Sequence, residues 1–414
     1  MLARVTCVRR SLARWLSTAV PALPPYGEGA ISPPTFSLHI ENSMTAILHA
    51  TRIAPALSLL AAAGVLCSAA ACQPAEPKAP DAEAAPAIAP AAGSAAPTGA
   101  VRVLTADTQV LQRPTTAAFR GQSLFVAIGQ LSVLFGSDGA QPALPFQALS
   151  LPLEGGTLGA EKIALPGNDY YPEGTAAAED GTLYIGSIMQ GTIVKVAPGS
   201  LSATPFVSKP LVQRGVIGLT VDAGRQLLWF CDSNPKLEEA KKAGELVGVQ
   251  LADGNEKVRH ALPRAADKAP FCNDVIVSPD GALWITDSAV GRVFHVPADK
   301  ALEANSAVAW AEGDEVRPPP TGGSGANGLD WVYGKLVVAN VGRGTLVRLD
   351  PGSAEPSRGA QLIALSDAST QQPIELCSPD GVERVPGSRN KVVVVENGGC
   401  PAQQPRIVEV TLQL

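Results

Sequence analysis

The sequence predicts an all-β protein folded as a six-bladed β-propeller with four-stranded blades. Three observations carry that expectation. Glycine and proline supply 40 and 36 of the 414 residues, and neither suits a helix interior, which excludes a long helical bundle or coiled coil. A pattern of about fifty residues recurs along the chain, as repeat architectures require. Inside each copy, short apolar strands are separated by glycine turns.

The first hundred residues stand apart from the repeats. Met44 opens a segment in which Arg52 closes a short basic region, residues 53–66 are apolar, and Ala69, Ala70 and Ala71 precede Cys72. That layout is a secretory signal over 44–71, and the small residues before Cys72 resemble a bacterial lipobox, with Cys72 as the lipidated residue. The apolar run is too short for the roughly 20 residues that span a bilayer. Residues 1–43 contain Arg4, Arg9, Arg10 and Arg14 and alone look like a transit peptide. A complete export signal follows them, so a start site assigned too early, with Met44 as initiator, explains them better. Residues 72–100 lack large apolar side chains and form a Pro/Ala-rich tether. The globular part is expected over 101–414. Localisation is expected in a bacterial cell envelope, with the membrane touched only through the lipid.

Net charge is −6. Residues 1–72 hold five Arg and two Glu, so the remainder has 27 basic and 36 acidic groups and a net charge of −9. No basic cluster could neutralise a run of phosphates, which excludes nucleic acid as a partner. Small molecules and cations fit better, and a monomer is expected.

Six copies of the repeat follow. The weakest is TTAAFRGQSLFVAIG from Thr115; the others are PEGTAAAEDGTLYIGS from Pro172, VIGLTVDAGRQLLWFCDS from Val216, CNDVIVSPDGALWITDS from Cys272, ANGLDWVYGKLVVANV from Ala326 and PDGVERVPGSRNKVVVVEN from Pro379. Each gives two strands about a turn, and GTIVKV, GRVFHV and GTLVRL supply third strands. The last copy has RIVEVTLQL as its third strand and no fourth, so VRVLTA at 101–106 is expected to complete it from the other terminus. A β-sandwich or barrel would fit short strands but not the period.

The first strand of each blade lines the central channel. The residue opening each copy therefore occupies one rim, and that column holds Thr116, Glu173, Ile217, Asn273, Asn327 and Asp380. Two carboxylates and two amides are oxygen donors that hard cations prefer. Two acids converging at one rim would repel unless one were protonated or a cation intervened. Glu173, Asn273, Asn327 and Asp380 are thus candidate ligands of calcium or another divalent cation, magnesium being less suited because it demands tight octahedral geometry. Asn-Gly and Asp-Gly are also common turn dipeptides, but turn chemistry alone does not place four such side chains at one repeat position.

Pro-Glu-Gly at 172–174, Asn-Asp at 273–274, Asn-Gly at 327–328 and Asp-Gly at 380–381, at this spacing, resemble the SMP-30/gluconolactonase/LRE-like family of calcium-binding propellers, related to paraoxonase and diisopropylfluorophosphatase. The resemblance covers about 101–414 and implies a divalent cation at the rim and hydrolysis of a lactone or phosphotriester. Asp380 would act as base or nucleophile, and Asn273 would hold the cation and orient substrate. There are departures. Phe271 stands where sugar-lactone hydrolases of this family carry arginine, none of His39, His49, His260 and His295 falls on the rim column, and one blade precedes the glutamate blade.

A second column, at the ends of the second strands, holds Ser187, Asp232, Asp287, Asn340 and Glu396 or Asn397. Asp287 and Asn340 are the first candidates to orient the ligands, the alternative being that each caps a turn. The layout also pairs Cys231 with Cys272 and Cys377 with Cys400, as an exported domain permits. Loops at 129–145 and 233–244 are long enough to cover the rim. The expected function is a calcium-dependent hydrolase acting on a lactone or related ester. The alternatives are a non-catalytic propeller that binds a ligand or protein partner with structural calcium, and an isomerase or lyase on the same scaffold.

Overall fold

The computed structural model describes residues 96–414 apart from 137–138, 154–156, 209–214, 236–241, 267, 356–358, 399 and 401–403. The expected signal, Cys72 and the tether up to residue 95 lie outside these residues, as do residues 236–241 of the loop at 233–244. Among the described residues no helix is long and apolar enough to cross a membrane.

Six antiparallel blades form as the repeats predict. Their innermost strands are Pro114–Arg120, Pro172–Ala177, Gly215–Asp222, Cys272–Val277, Ala326–Val332 and Pro379–Arg384, and the first five blades proceed outward in chain order. Each innermost strand touches the next, and the sixth touches the first, so the ring closes. The strands form where the chain alternates or clusters β-branched and aromatic residues, as in Lys391–Glu396, KVVVVE, whose four valines are all buried.

Closure uses the N-terminus as expected. Thr98–Thr105 pairs antiparallel with Arg406–Gln413 and becomes the fourth strand of the last blade. Two details differ from the sequence expectation. The strand starts at Thr98, and a further strand, Ala364–Asp367, adds parallel to it at the edge of the four expected strands. A strand leaving the fifth blade thereby covers the edge that the terminal strand would otherwise expose.

The core lies between blades. Trp229, Phe230, Phe125 and Phe294 are fully buried, and Trp229 Nε1 donates to Asp222 Oδ2 at 3.1 Å, satisfying its one polar atom. The same Asp222 pairs with Arg225, whose guanidinium reaches Gly281 O at 2.7 Å and Ala298 O at 2.8 Å in the fourth blade. The disulfides Cys231–Cys272 and Cys377–Cys400 form as expected, with Cα atoms 5.2 and 5.8 Å apart. One ties the third blade to the fourth and the other closes the loop around the last blade.

Candidate functional site

Each of the six innermost strands carries the same irregularity. After the first paired residue, or the second in the third blade, the register slips and two residues are left unpaired before pairing resumes: Glu173 and Gly174 between Pro172 and Thr175, Asn273 and Asp274 between Cys272 and Val275, and Asp380 and Gly381 between Pro379 and Val382. Such bulges re-aim side chains. Here they bring Glu173, Ile217, Asn273, Asn327 and Asp380 to the floor of one pocket of about 660 Å³. Tyr171 and Ser378, each preceding the proline that opens its strand, hold φ of 42° and 50°. These left-handed, non-glycine residues place strained backbone two positions before Glu173 and Asp380.

The sixth member of the predicted column is corrected. Register makes Thr115, not Thr116, the equivalent of Glu173, because Thr115 and Thr116 are the two bulged residues between Pro114 and Ala117. Thr115 is buried and its hydroxyl bonds to the carbonyl oxygens of Pro172 and Glu173. Thr116 occupies the slot held by glycine in four other blades, and it lines a narrower space below the rim.

The floor is electrostatically unusual. Burial raises the Glu173 carboxyl well above the ordinary range, and the charges of Asp380 and Asp274 raise it further. Burial pushes Asp380 up to about 7, against hydrogen bonds from Asn397 and Asn327 that lower it. Glu173 Oε2 and Asp380 Oδ1 are buried without a hydrogen-bond partner, a costly arrangement for carboxylate oxygens unless something else satisfies them. Two orphaned carboxylate oxygens and two amide side chains make a donor set that fits a hard divalent cation. Among the described residues no three His, Cys, Asp or Glu side chains group for metal binding, so the amides are needed to complete this set.

The two residues favoured in the second column make other bonds. Asp287 Oδ1 accepts the Phe271 N–H at 2.9 Å while its Oδ2 pairs with Arg292. Asn340 donates to Glu315 O and Arg317 O and accepts from Arg343 N–H. Both bracket backbone and neither bonds a rim side chain in the described hydrogen-bond network, so their predicted role as orienters of the ligands is replaced by one as supports of the strand entries. The orienting side chain is one position further along. Asn397 Nδ2 donates to Asp380 Oδ2, whereas Glu396 accepts from the Cys377 N–H and pairs with Arg406. His260 is buried with both ring nitrogens engaged, by Ala301 O and the Ser306 N–H, and His295 stacks on Trp284. Neither reaches the pocket.

Asp274 was not singled out from the sequence. It stands in the slot that is glycine in four blades, its Oδ1 and Oδ2 accepting the Val275 and Leu329 N–H groups. Burial pushes it up to about 7, with Asp380 and Asp330 raising it further. The signal was available in the Asn-Asp pair, the only copy with an acid directly after the rim residue.

The predicted loop at 129–145 does wall the pocket. Gln130 is buried with φ of 52° and exchanges two hydrogen bonds with Ala143, clamping the loop base. The short helix Leu131–Phe135 then leans over the rim, with Leu131 and Phe135 lining the pocket.

Fold and site together define a six-bladed propeller with an oxygen-rich cluster at one mouth of its channel. Comparisons with known proteins agree on the fold. The strictosidine synthase-like N-terminal family matches residues 158–196. A luciferin-regenerating enzyme is 13% identical, with 76% of this chain and 95% of that one covered and a TM-score of 0.53. A calcium-binding protein, regucalcin, from Agrobacterium tumefaciens str. C58 is 14% identical, with 75% and 95% covered and a TM-score of 0.52. No curated protein matches the sequence. The chain therefore has the six-bladed architecture of the regucalcin and luciferin-regenerating enzyme group.

Proposed function

We propose that this chain is an exported, lipid-anchored hydrolase that opens a lactone or related ester with the help of a divalent cation, calcium by donor chemistry. The observation that carries the proposal is the pair of buried, unpartnered carboxylate oxygens of Glu173 and Asp380 at the floor of the pocket. Glu173, Asn273, Asn327 and Asp380 would hold the cation, which when bound polarises a carbonyl oxygen and stabilises negative charge there.

The chain's own residues supply the rest. Asn273 and Asn327 orient the ester. Asp380 takes a proton from the attacking water, whose oxygen joins the acyl carbon; the carbon–oxygen bond of the ring or ester breaks, and the leaving alkoxide takes that proton back from Asp380. Asn397 fixes the Asp380 carboxylate through its amide.

The alternative is a non-catalytic propeller that binds a ligand or protein partner, and one observation favours it: among the described residues no histidine, lysine or arginine lines the pocket. Assay of the purified chain against lactones and esters, with and without chelator, separates the two. Chelator-sensitive turnover supports the hydrolase, and cation binding without turnover supports the binding protein. Mass analysis of the natural N-terminus for a lipidated Cys72 tests the anchor.

A further inference from the structure

The pocket is two-faced. Its side over the fifth and sixth blades is mostly polar, Val341 excepted, whereas over the first four blades Leu131, Phe135, Ile188, Ile217 and Phe271 make an apolar wall beside Glu173 and Asn273. We propose, resting on the hydrolase assignment, that the substrate is an uncharged lactone or ester carrying an apolar alkyl or aryl substituent, and that Phe271, Ile217 and Phe135 set this specificity.

Three independent features support this class. First, the apolar wall is held in place. Phe271 is fixed by the bond from its N–H to Asp287, itself locked to Arg292, and Leu131 packs with Val133 and Leu134 on the main hydrophobic cluster. Secondly, Phe135 at the mouth keeps 58% of its surface exposed although its helix is anchored, and a large exposed apolar side chain beside a pocket marks a surface meant to be covered.

Thirdly, the pocket has little left with which to hold a polyhydroxylated or anionic substrate. Among the described residues no basic side chain lines it, so none of them offers a counter-charge to a carboxylate or phosphate. Both N–H groups of Asn397 are spent, on Asp380 Oδ2 and Pro114 O. Among the described residues, beyond those that would hold the cation, only the Ser324 and Ser378 hydroxyls remain in the lining, too few to replace the hydration of several sugar hydroxyls. An alkyl chain laid along Ile217 and Phe271 instead gains with every methylene removed from water, about three- to four-fold in affinity for each until the wall is filled.

The experiment measures kcat/KM of the full chain on γ-butyrolactone, γ-hexalactone, γ-octalactone and γ-decalactone, with glucono-δ-lactone as the polar comparison. Expected is a rise of about three-fold per methylene, carried by KM, with gluconolactone at least about 100-fold poorer than the best substrate. Phe271→Arg flattens the series by raising KM for long chains. Phe135→Ser, at an exposed position that folding does not require, halves the slope or more. A flat series in the parent chain, or gluconolactone as the better substrate, overturns the proposal. In parallel, calorimetry with 2-butyl-, 2-hexyl- and 2-octyltetrahydrofuran, which have no ester to cleave, measures the wall alone. Binding that tightens with chain length without turnover of any lactone defeats the hydrolase assignment and keeps the apolar specificity; binding independent of chain length defeats the specificity itself.

Discussion

Asn397 Nδ2 donates to Asp380 Oδ2 at 2.9 Å and to Pro114 O at 2.6 Å, so one buried amide links the rim carboxylate of the last blade to the opening residue of the first. The bond does two things at once. It orients the carboxylate and favours its ionised form, and it joins the blades where the ring closes. Removing it leaves Pro114 O without that donor and lets the Asp380 carboxyl rise further. Asn397→Ala is therefore expected to weaken cation binding about 10- to 100-fold, the usual cost of losing an outer partner of a ligand. Isothermal calorimetry with calcium at fixed pH measures it; unchanged affinity would remove Asn397 from the site.

The raised carboxyls predict how stability depends on pH. In the cation-free chain burial lifts Glu173 well above its usual range and Asp380 to about 7, so the folded state holds protons that the unfolded chain gives up near pH 4. Their stabilising contribution is complete below about pH 4 and is lost as pH rises through about 7. With chelator present, Tm is expected to fall between about pH 5 and 8, and excess calcium should lift Tm more at pH 8 than at pH 5 because cation and proton compete. Glu173→Gln removes one of the two charges, so it should raise the chelated Tm at pH 8 and abolish the calcium response. Differential scanning calorimetry across the pH series checks each; a chelated Tm that climbs with pH contradicts the assignment.

Legibility in the sequence followed physical repetition. Strands with alternating or clustered β-branched residues, such as KVVVVE, announce themselves, and RIVEVTLQL lacked a partner that only the N-terminal segment could supply. Glu173, Asn273, Asn327 and Asp380 were legible because a glycine or acid marks the bulge that follows each. Thr115 was not, since Thr-Thr-Ala contains no glycine to set the register. A one-residue offset also explains Asp287 and Asn340. Along a strand neighbours face opposite ways, so the residues paired with the strand openings bracket backbone, while the next ones, Ile188, Val341 and Asn397, line the pocket. The fifth strand of the last blade, Ala364–Asp367, carries no alternation of burial and no signal.

The register also bears on where a shortened chain can begin. Thr98, Gly99 and Ala100 pair with Gln413, Leu412 and Thr411, and with Ala364, Leu365 and Ser366 on the other side. A chain starting at 101, the boundary the sequence suggests, loses both sets of pairs and uncovers the edge of the last blade. Its Tm is expected to fall about 3 °C below that of a chain starting at 90, the conversion of about 2 kcal/mol for a domain of this size. Equal melting of the two truncations would show that the closure depends only on Val101 onward.

The bridge Cys377–Cys400 spans 23 residues and encloses the first two strands of the last blade, with Ser378 and Asn397 just inside it. Cross-linking restricts the unfolded chain by about 3 kcal/mol for a loop of this length. Replacing both cysteines with alanine should lower stability by about that amount and also weaken calcium binding, because Asn397 loses its tether. Replacing Cys231 and Cys272, which join two blades away from Asp380, should lower stability by a comparable amount with less effect on binding. Denaturant midpoints and calorimetric affinities separate the two pairs, and equal losses of affinity would argue against a local role for the first bridge.

Close approach of the innermost strands gives the sharpest steric prediction. A Cβ on Gly174 would lie 1.9 Å from Ile217 O, and one on Gly328 would lie 2.1 Å from Asp380 O. Both obstacles are backbone of the adjoining blade, which cannot swing aside as a side chain would, so the ring would have to widen at the level of the rim. Overpacking of this kind typically costs about 1–3 kcal/mol and more where backbone must move. Gly328→Ala has a second consequence, because the strand it displaces carries Asp380. Both variants should lose at least about 3 kcal/mol by urea denaturation, and those molecules that fold should bind calcium more weakly for Gly328→Ala than for the parent chain. Gly121→Ala, at an open turn with nothing within 4 Å but φ of 62°, isolates backbone strain from clash and should cost only about 1 kcal/mol. Stability of Gly174→Ala equal to that of Gly121→Ala would mean that the blades stand further apart at the rim than the bulged strands place them.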